Sequence, residues 1–141
     1  MTGLSARPTE LRVVLDTNVL VSALLTPAGN PSTILQATLD GDLTLVYSDA
    51  ILTEYHSVLA RPRFGFDRRD IAELLAFIEA FGESIDPQPS DVFMPDQDDR
   101  QFYDAGMAAK AMVVTGNVKH YPRSDLVITP ADFVRSHLGS A

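Results

Sequence analysis

A three-layer α/β fold is the class this sequence predicts: a central, mostly parallel sheet of about five strands flanked by helices. Three observations predict it. Within the strand Arg12–Asp16 the run Val13-Val14-Leu15 is apolar and mostly β-branched, the composition of a strand buried on both faces. It breaks at Asp16-Thr17-Asn18, and a second apolar run follows as a helix start packed on the sheet. Along the rest of the chain, short strand-like runs alternate with longer helical patterns, which implies right-handed βαβ units.

Each element can be justified in turn. Residues Thr17–Leu25 form a short helix, closed by the Pro- and Gly-rich loop Thr26–Pro31. Ser32 is placed to cap a helix running to about Leu39, which Asp40-Gly41-Asp42 stops. Leu43–Tyr47 is the second strand, and Ser48 the N-cap of a helix over Asp49–Ala60. The breaker Arg61-Pro62-Arg63-Phe64-Gly65 precedes Asp67, which caps an apolar helix through Phe81, ended by Gly82. Ser84–Asp86 reads as a short strand and Pro87–Pro95, with three prolines, as a loop. Asp96 or Asp98 caps a helix reaching about Ala111. Met112–Thr115 and Leu126–Thr129 complete the strands, and Pro130–Leu138 is a last helix with Pro in its first turn.

A chain of 141 residues with 45% hydrophobic content suits one domain with a real core. That domain is expected over residues 11–138, with a frayed lead-in at 1–10 and a frayed end at 139–141. Nineteen acidic against 11 basic residues give a net charge of -8, which argues against broad electrostatic binding to nucleic acid but leaves room for local basic patches. The absence of cysteine removes disulfides and thiolate metal sites and fits a reducing cytoplasm. Neither a secretory signal pattern nor a bilayer-spanning run is present in the sequence.

Asp16 falls at the carboxyl end of a central strand, where open α/β sheets bind ligands, and a carboxylate there needs a positive partner. Glu54 lies beside the stripe Ile51, Leu52, Tyr55, Val58 and Leu59, so it is near the sheet and can point toward a cleft. Asp99 opens the Ala-rich helix and shares a face with Phe102, Tyr103 and Gly106, whereas Asp104 falls away from that face and reads as solvated. Taken singly, Glu54 is a solvated helix residue and Asp99 a helix N-terminal charge. Converging, the three would repel one another, a penalty that Mg²⁺ or Mn²⁺ removes. Basic residues cluster as Lys119, His120 and Arg123, and as Arg61, Arg63, Arg68 and Arg69 about Pro62. Each cluster is either a phosphate contact or a solvated run. The stripe Ile71, Leu74, Leu75, Ile78 and Phe81 is expected in the core, with part of it open to a partner.

Four segments carry a family resemblance: Leu15-Asp16-Thr17-Asn18-Val19-Leu20, Leu52-Thr53-Glu54-Tyr55, Asp96-Gln97-Asp98-Asp99-Arg100-Gln101-Phe102 and Val113-Val114-Thr115-Gly116-Asn117. In this order, spread over about Arg12 to Phe133, they resemble PIN-domain proteins, specifically the VapC-like toxins of toxin–antitoxin systems. The resemblance implies a five-stranded parallel sheet and a Mg²⁺- or Mn²⁺-dependent endoribonuclease. It also implies inhibition by a cognate antitoxin and a homodimer or higher oligomer. Asp16, Glu54 and Asp99 match its first three acidic positions. Asn117 stands where the fourth is usually Asp, which leaves one or two metals open. Thr115 matches a supporting hydroxyl, and Thr17 and Asn18 complete the first motif. Metal ligation is thus expected from Asp16, Asp99, Glu54 and Asn117, and RNA contact from Lys119, His120, Arg123, Arg61 and Arg63.

Other classes fit less well. A phosphoacceptor receiver domain wants paired acids at the first strand and a Lys after the last, whereas here Asp16 stands alone and the last strand ends in Thr129-Pro130. A haloacid-dehalogenase-like phosphatase wants Asp-x-Asp, and Asp16-Thr17-Asn18 lacks the second acid. A PIN fold kept as a non-catalytic binding module, with Asn117 as its mark, is the remaining alternative.

Overall fold

The computed structural model describes residues 11–139, so the lead-in expected at 1–10 and the last two residues of the expected frayed end lie outside it. Strands β1 (Arg12–Leu15), β2 (Thr44–Tyr47), β3 (Glu83–Ser84), β4 (Met112–Val114) and β5 (Val127–Ile128) form one sheet in the order β3-β2-β1-β4-β5. Every pairing in it is parallel. The order runs one way from β1 to β3 and then restarts on the other side of β1 with β4. A topological switch point therefore lies between the carboxyl ends of β1 and β4, where such sheets leave a crevice.

The β-branched run does what its composition implies. Val13, Val14 and Leu15 are buried between neighbours on both edges and helices on both faces. Helices α1 (Thr17–Leu25), α2 (Asn30–Leu39) and α6 (Pro130–Phe133) pack together, and α3 (Asp49–Leu59) packs on α4 (Arg68–Phe81) and α5 (Arg100–Ala109). Ser48 caps α3 through the Ile51 N–H, and Asp67 caps α4 through the Arg69 and Asp70 N–H groups, as expected. Gly106 lets α5 press on β4, since a Cβ there would meet Val113 Cγ2 at 2.4 Å. At the far edge, Arg12 grips Glu83 with two parallel bonds of 2.8 and 2.6 Å, holding short β3 in register.

Several local expectations change. Helix α2 begins at Asn30 with Gly29 as its cap, because Pro31 suits a first helical turn; Ser32 lies inside that turn. The helix expected from Asp96 or Asp98 divides into a tight turn over Gln97–Asp99, capped by the Asp96 side chain, and then α5. Lys110 ends α5 in the left-handed region at φ 55°, before the expected Ala111. The last helix widens into a π-helical turn over Val134–Leu138. Of the α4 stripe, Ile71, Leu75 and Ile78 are buried and Leu74 packs beside them, whereas Phe81 is 70% exposed.

Asp104 requires a correction: it is buried, not solvated. The proline-rich loop folds over α5, and Asp104 Oδ2 accepts the Ser90 N–H at 3.1 Å. Arg100, one turn earlier, donates to the Ser90 carbonyl, the Ser90 hydroxyl and the Val92 carbonyl. Helical periodicity places Asp104 off the Asp99 face correctly, but it says nothing of a loop arriving to cover the other face.

Candidate metal centre

Asp16 is set by the two elements that meet at the switch point. Its N–H pairs with the Val114 carbonyl at 3.0 Å, so it ends β1 as the last rung to β4. Its side chain then caps α1, with Oδ1 accepting the Asn18 N–H at 3.3 Å. Oδ2 accepts from the Thr115 hydroxyl at 2.8 Å and from the Tyr121 hydroxyl at 3.2 Å. Burial and the nearby charges of Asp16 and Asp99 raise the Tyr121 pKa far above the usual phenol range, so Tyr121 stays a proton donor. The cost of burying the Asp16 carboxylate is thus met by three hydrogen bonds and a helix N-terminus.

Glu54 is carried by α3, and the next residue anchors that helix. Tyr55 is fully buried and donates its hydroxyl to the Leu15 carbonyl at 2.6 Å, tying α3 to the end of β1. Burial first, then the charges of Asp16 and Glu54, hold the Tyr55 phenol protonated. Both Glu54 oxygens are held: Oε2 accepts from the Thr17 hydroxyl and Oε1 from the Gln101 amide at 2.6 Å.

Asp99 stands at the start of α5, with no capping bond from its side chain. His120 Nδ1 faces its Oδ2 at 3.4 Å. Burial, then the charges of Asp16 and Asp96, push the Asp99 carboxyl up to about 6 from its ordinary 3.8, partly offset by His120.

Asp16, Glu54 and Asp99 line one open cleft of about 580 Å³, together with Thr17, Asn18, Gln101 and the two arginines Arg61 and Arg63. Asn117 does not line that cleft. It is exposed, and its backbone N–H bonds the Thr115 hydroxyl at 3.0 Å. Lys119 and Arg123 are also exposed and outside the cleft lining, while His120 reaches back to Asp99. The arginine pair on the Pro62 turn is therefore the basic group that shares walls with the acids.

A divalent cation suits these residues. Hard carboxylate oxygens dominate the donor set, and burial, followed by the charges of Asp16 and Asp96, leaves the Asp99 carboxyl raised in the absence of a cation. One ligand atom each of Asp96, Asp99 and His120 lies within 4.8 Å of the others.

Tyr121, Gln101 and Asp96 are the residues that sequence reasoning missed as parts of this centre. Tyr121 acts on Asp16 across 105 positions, and no local pattern carries that pairing. Gln101 carried a signal: it lies two residues after Asp99, a polar group on the turn of α5 that opens toward the cleft.

Comparison with known proteins agrees with this architecture. A family model described as PIN domain matches residues 12–119. An uncharacterized protein of Methanocaldococcus jannaschii, MJ1680, is 30% identical over 112 residues, spanning 77% of this chain and 72% of the relative. Among solved structures, a chain from the crystal structure of VapBC2 from Rickettsia felis, bound to a DNA fragment from their promoter, superposes with a TM-score of 0.54. That match has 18% identity and covers 84% of this chain and 97% of that chain, a likeness of fold. With its sheet order, its acidic cleft and the family match over most of its length, the chain belongs to the PIN-domain family.

Proposed function

We propose that this protein is a Mg²⁺- or Mn²⁺-dependent endoribonuclease, acting in the cytoplasm as the toxin of a toxin–antitoxin pair. The observation that carries the reading is the convergence of Asp16, Glu54 and Asp99 on one cleft at the switch point of the sheet. Asp16 and Asp99 would hold the cation. Glu54, fixed by Thr17 and Gln101, would orient the attacking water or assist in holding the ion. The chemistry such an ion supplies is activation of water and offset of charge on the scissile phosphate. In the net reaction water adds to phosphorus, and the departing ester oxygen leaves with a proton.

Arg61 and Arg63 supply the positive charge that the acids lack, from the wall of the same cleft. A phosphodiester entering the cleft would thus meet guanidinium groups as well as carboxylates. The three carboxylates Asp16, Glu54 and Asp99 all line the cleft, which supports the catalytic reading over the non-catalytic alternative. A groove lined by Leu24, Leu35, Leu39, Phe66, Leu74 and Phe77, rimmed by Asp67, Asp70 and Glu73, fits an amphipathic antitoxin helix with basic flanks. Exposed Leu25 and Phe81 add apolar surface for a second copy. No helix among the described residues is long and apolar enough to cross a membrane.

The test is cleavage of single-stranded RNA by purified protein. Activity with Mn²⁺ or Mg²⁺ that chelation abolishes and that Asp16→Asn removes is the expected result. Undiminished cleavage by the Asp16→Asn protein, free of contaminating nuclease, overturns the assignment.

A further inference from the structure

We propose that Asp96, Asp99 and His120 form a nitrogen-containing cation site at the edge of the cleft, which makes this chain prefer Mn²⁺ to Mg²⁺. The proposal rests on the reading of the cleft as a divalent-metal centre and specifies which ion it selects. Its starting point is the segment after β4, where Asn117 is exposed and donates its backbone N–H to the Thr115 hydroxyl. Three residues later the chain returns. The tight turn Val118–His120, closed by the His120 N–H on the Asn117 carbonyl at 2.9 Å, brings the imidazole against Asp99.

The turn is fastened at both ends to the buried acid cluster. Asn117 N–H bonds the Thr115 hydroxyl, and the Tyr121 hydroxyl bonds Asp16 Oδ2, the oxygen that Thr115 also holds. The two anchors fix the turn that carries His120, so only its side-chain torsions remain to bring the imidazole onto an ion. On the other side, Asp96 is fixed by its own bond to the Asp98 N–H at 3.0 Å. The three ligand atoms lie within 4.8 Å of one another. Two donors on one ion, each at about 2.1 Å, are separated by at most about 4.2 Å, so a small rotation of the half-exposed imidazole closes the site.

The donor set decides the ion. Mg²⁺ holds carboxylates and waters and has little use for imidazole, whereas first-row transition ions accept it readily. A simple ion pair is the competing account of His120: an imidazolium neutralising Asp99 in the free protein. The two accounts differ in sign. An ion-pair partner competes with a metal, so its removal leaves metal affinity unchanged or raises it. A ligand's removal lowers affinity, and selectively for the ion that used it.

Calorimetric titration of the full chain with Mn²⁺ and with Mg²⁺ separates them, together with pulsed electron paramagnetic resonance of the Mn²⁺-loaded protein. The unaltered protein should show nitrogen coupling to Mn²⁺. His120→Ala should abolish that coupling and weaken Mn²⁺ by about tenfold or more, while Mg²⁺ changes by less than about threefold. Absence of nitrogen coupling, equal losses for both ions, or unchanged or tighter binding overturns the proposal. None of these readouts needs RNA cleavage. A protein that fails to cut RNA but keeps the Mn²⁺ preference defeats the nuclease reading alone.

Discussion

Asp16 and Asp99 face the same cleft and are built in opposite ways. Asp16 is buried and receives hydrogen bonds from Asn18, Thr115 and Tyr121, drawn from α1 and from both ends of the segment after β4. Asp99 sits on a helix start, is half-buried, and has one histidine at 3.4 Å across from it. The first carboxylate is preorganised, because its charge is already compensated by fixed dipoles. The second is under-compensated, so its charge responds to whatever cation or proton arrives. On the proposed metal-dependent function, the first acid would define where an ion sits and the second would make occupancy depend on conditions.

The largest effect should come from breaking the fixed member. Asp16→Asn keeps size and most of the hydrogen bonding but removes the anion, so RNA cleavage should fall by more than about 10²-fold, beyond the usual loss for an outer-shell partner. Single-turnover cleavage, with circular dichroism to verify the fold, measures it. Asp99→Asn should cost less. An equal or larger loss there would reverse the ranking of the two acids.

Next comes the support of the fixed member. Tyr121→Phe deletes one of the two hydroxyls on Asp16 Oδ2 and leaves Thr115 in place. Metal affinity should drop by about tenfold, and stability by about 1 kcal/mol, the usual scale for one hydrogen bond. Calorimetry and thermal unfolding read the two. No change in either would mean that Thr115 alone orients Asp16.

The responsive member predicts a pH effect whose sign is definite. A carboxyl whose folded pKa is raised, here from 3.8 to about 6, binds more protons folded than unfolded between those values. Stability of the metal-free protein should therefore fall as pH rises from about 4 to about 6, and Asp99→Asn should flatten that slope. Metal binding runs the other way: affinity should decline as pH drops below about 6, because protons compete at Asp99. Denaturant midpoints and Mn²⁺ titrations across that window check both. Asp16 and Asp96 push the carboxyl up and His120 pulls it down, so the window itself moves when any of them is replaced.

The smallest effect distinguishes the two basic groups. Arg61 and Arg63 line the cleft, and Lys119 and Arg123 do not. Replacing both arginines with Ala should reduce the salt dependence of single-stranded RNA binding by a slope of about 1.4, the value for two lost phosphate contacts. The Lys119 and Arg123 pair should change it less. The reverse order would place the RNA track along Lys119 and Arg123 instead.

Much of this was legible in the sequence because it is local. A β-branched run ending in Asp-Thr-Asn determined β1, the helix after it and the strand-end position of Asp16, through side-chain periodicity and capping. Ser48 and Asp67 marked their helices because a cap acts within three residues. What only the tertiary structure decided is which distant groups meet. Thr115 reaches Asp16 across 99 positions, Tyr121 across 105, and Gln101 reaches Glu54 across 47. The return of His120 to Asp99, the placing of Arg61 and Arg63 on the cleft wall, and the burial of Asp104 under the proline loop belong to the same class. Periodicity assigns a residue to a face of its own element, but the group opposite that face is chosen by strand order and loop path, which depend on the packing of the whole chain at once.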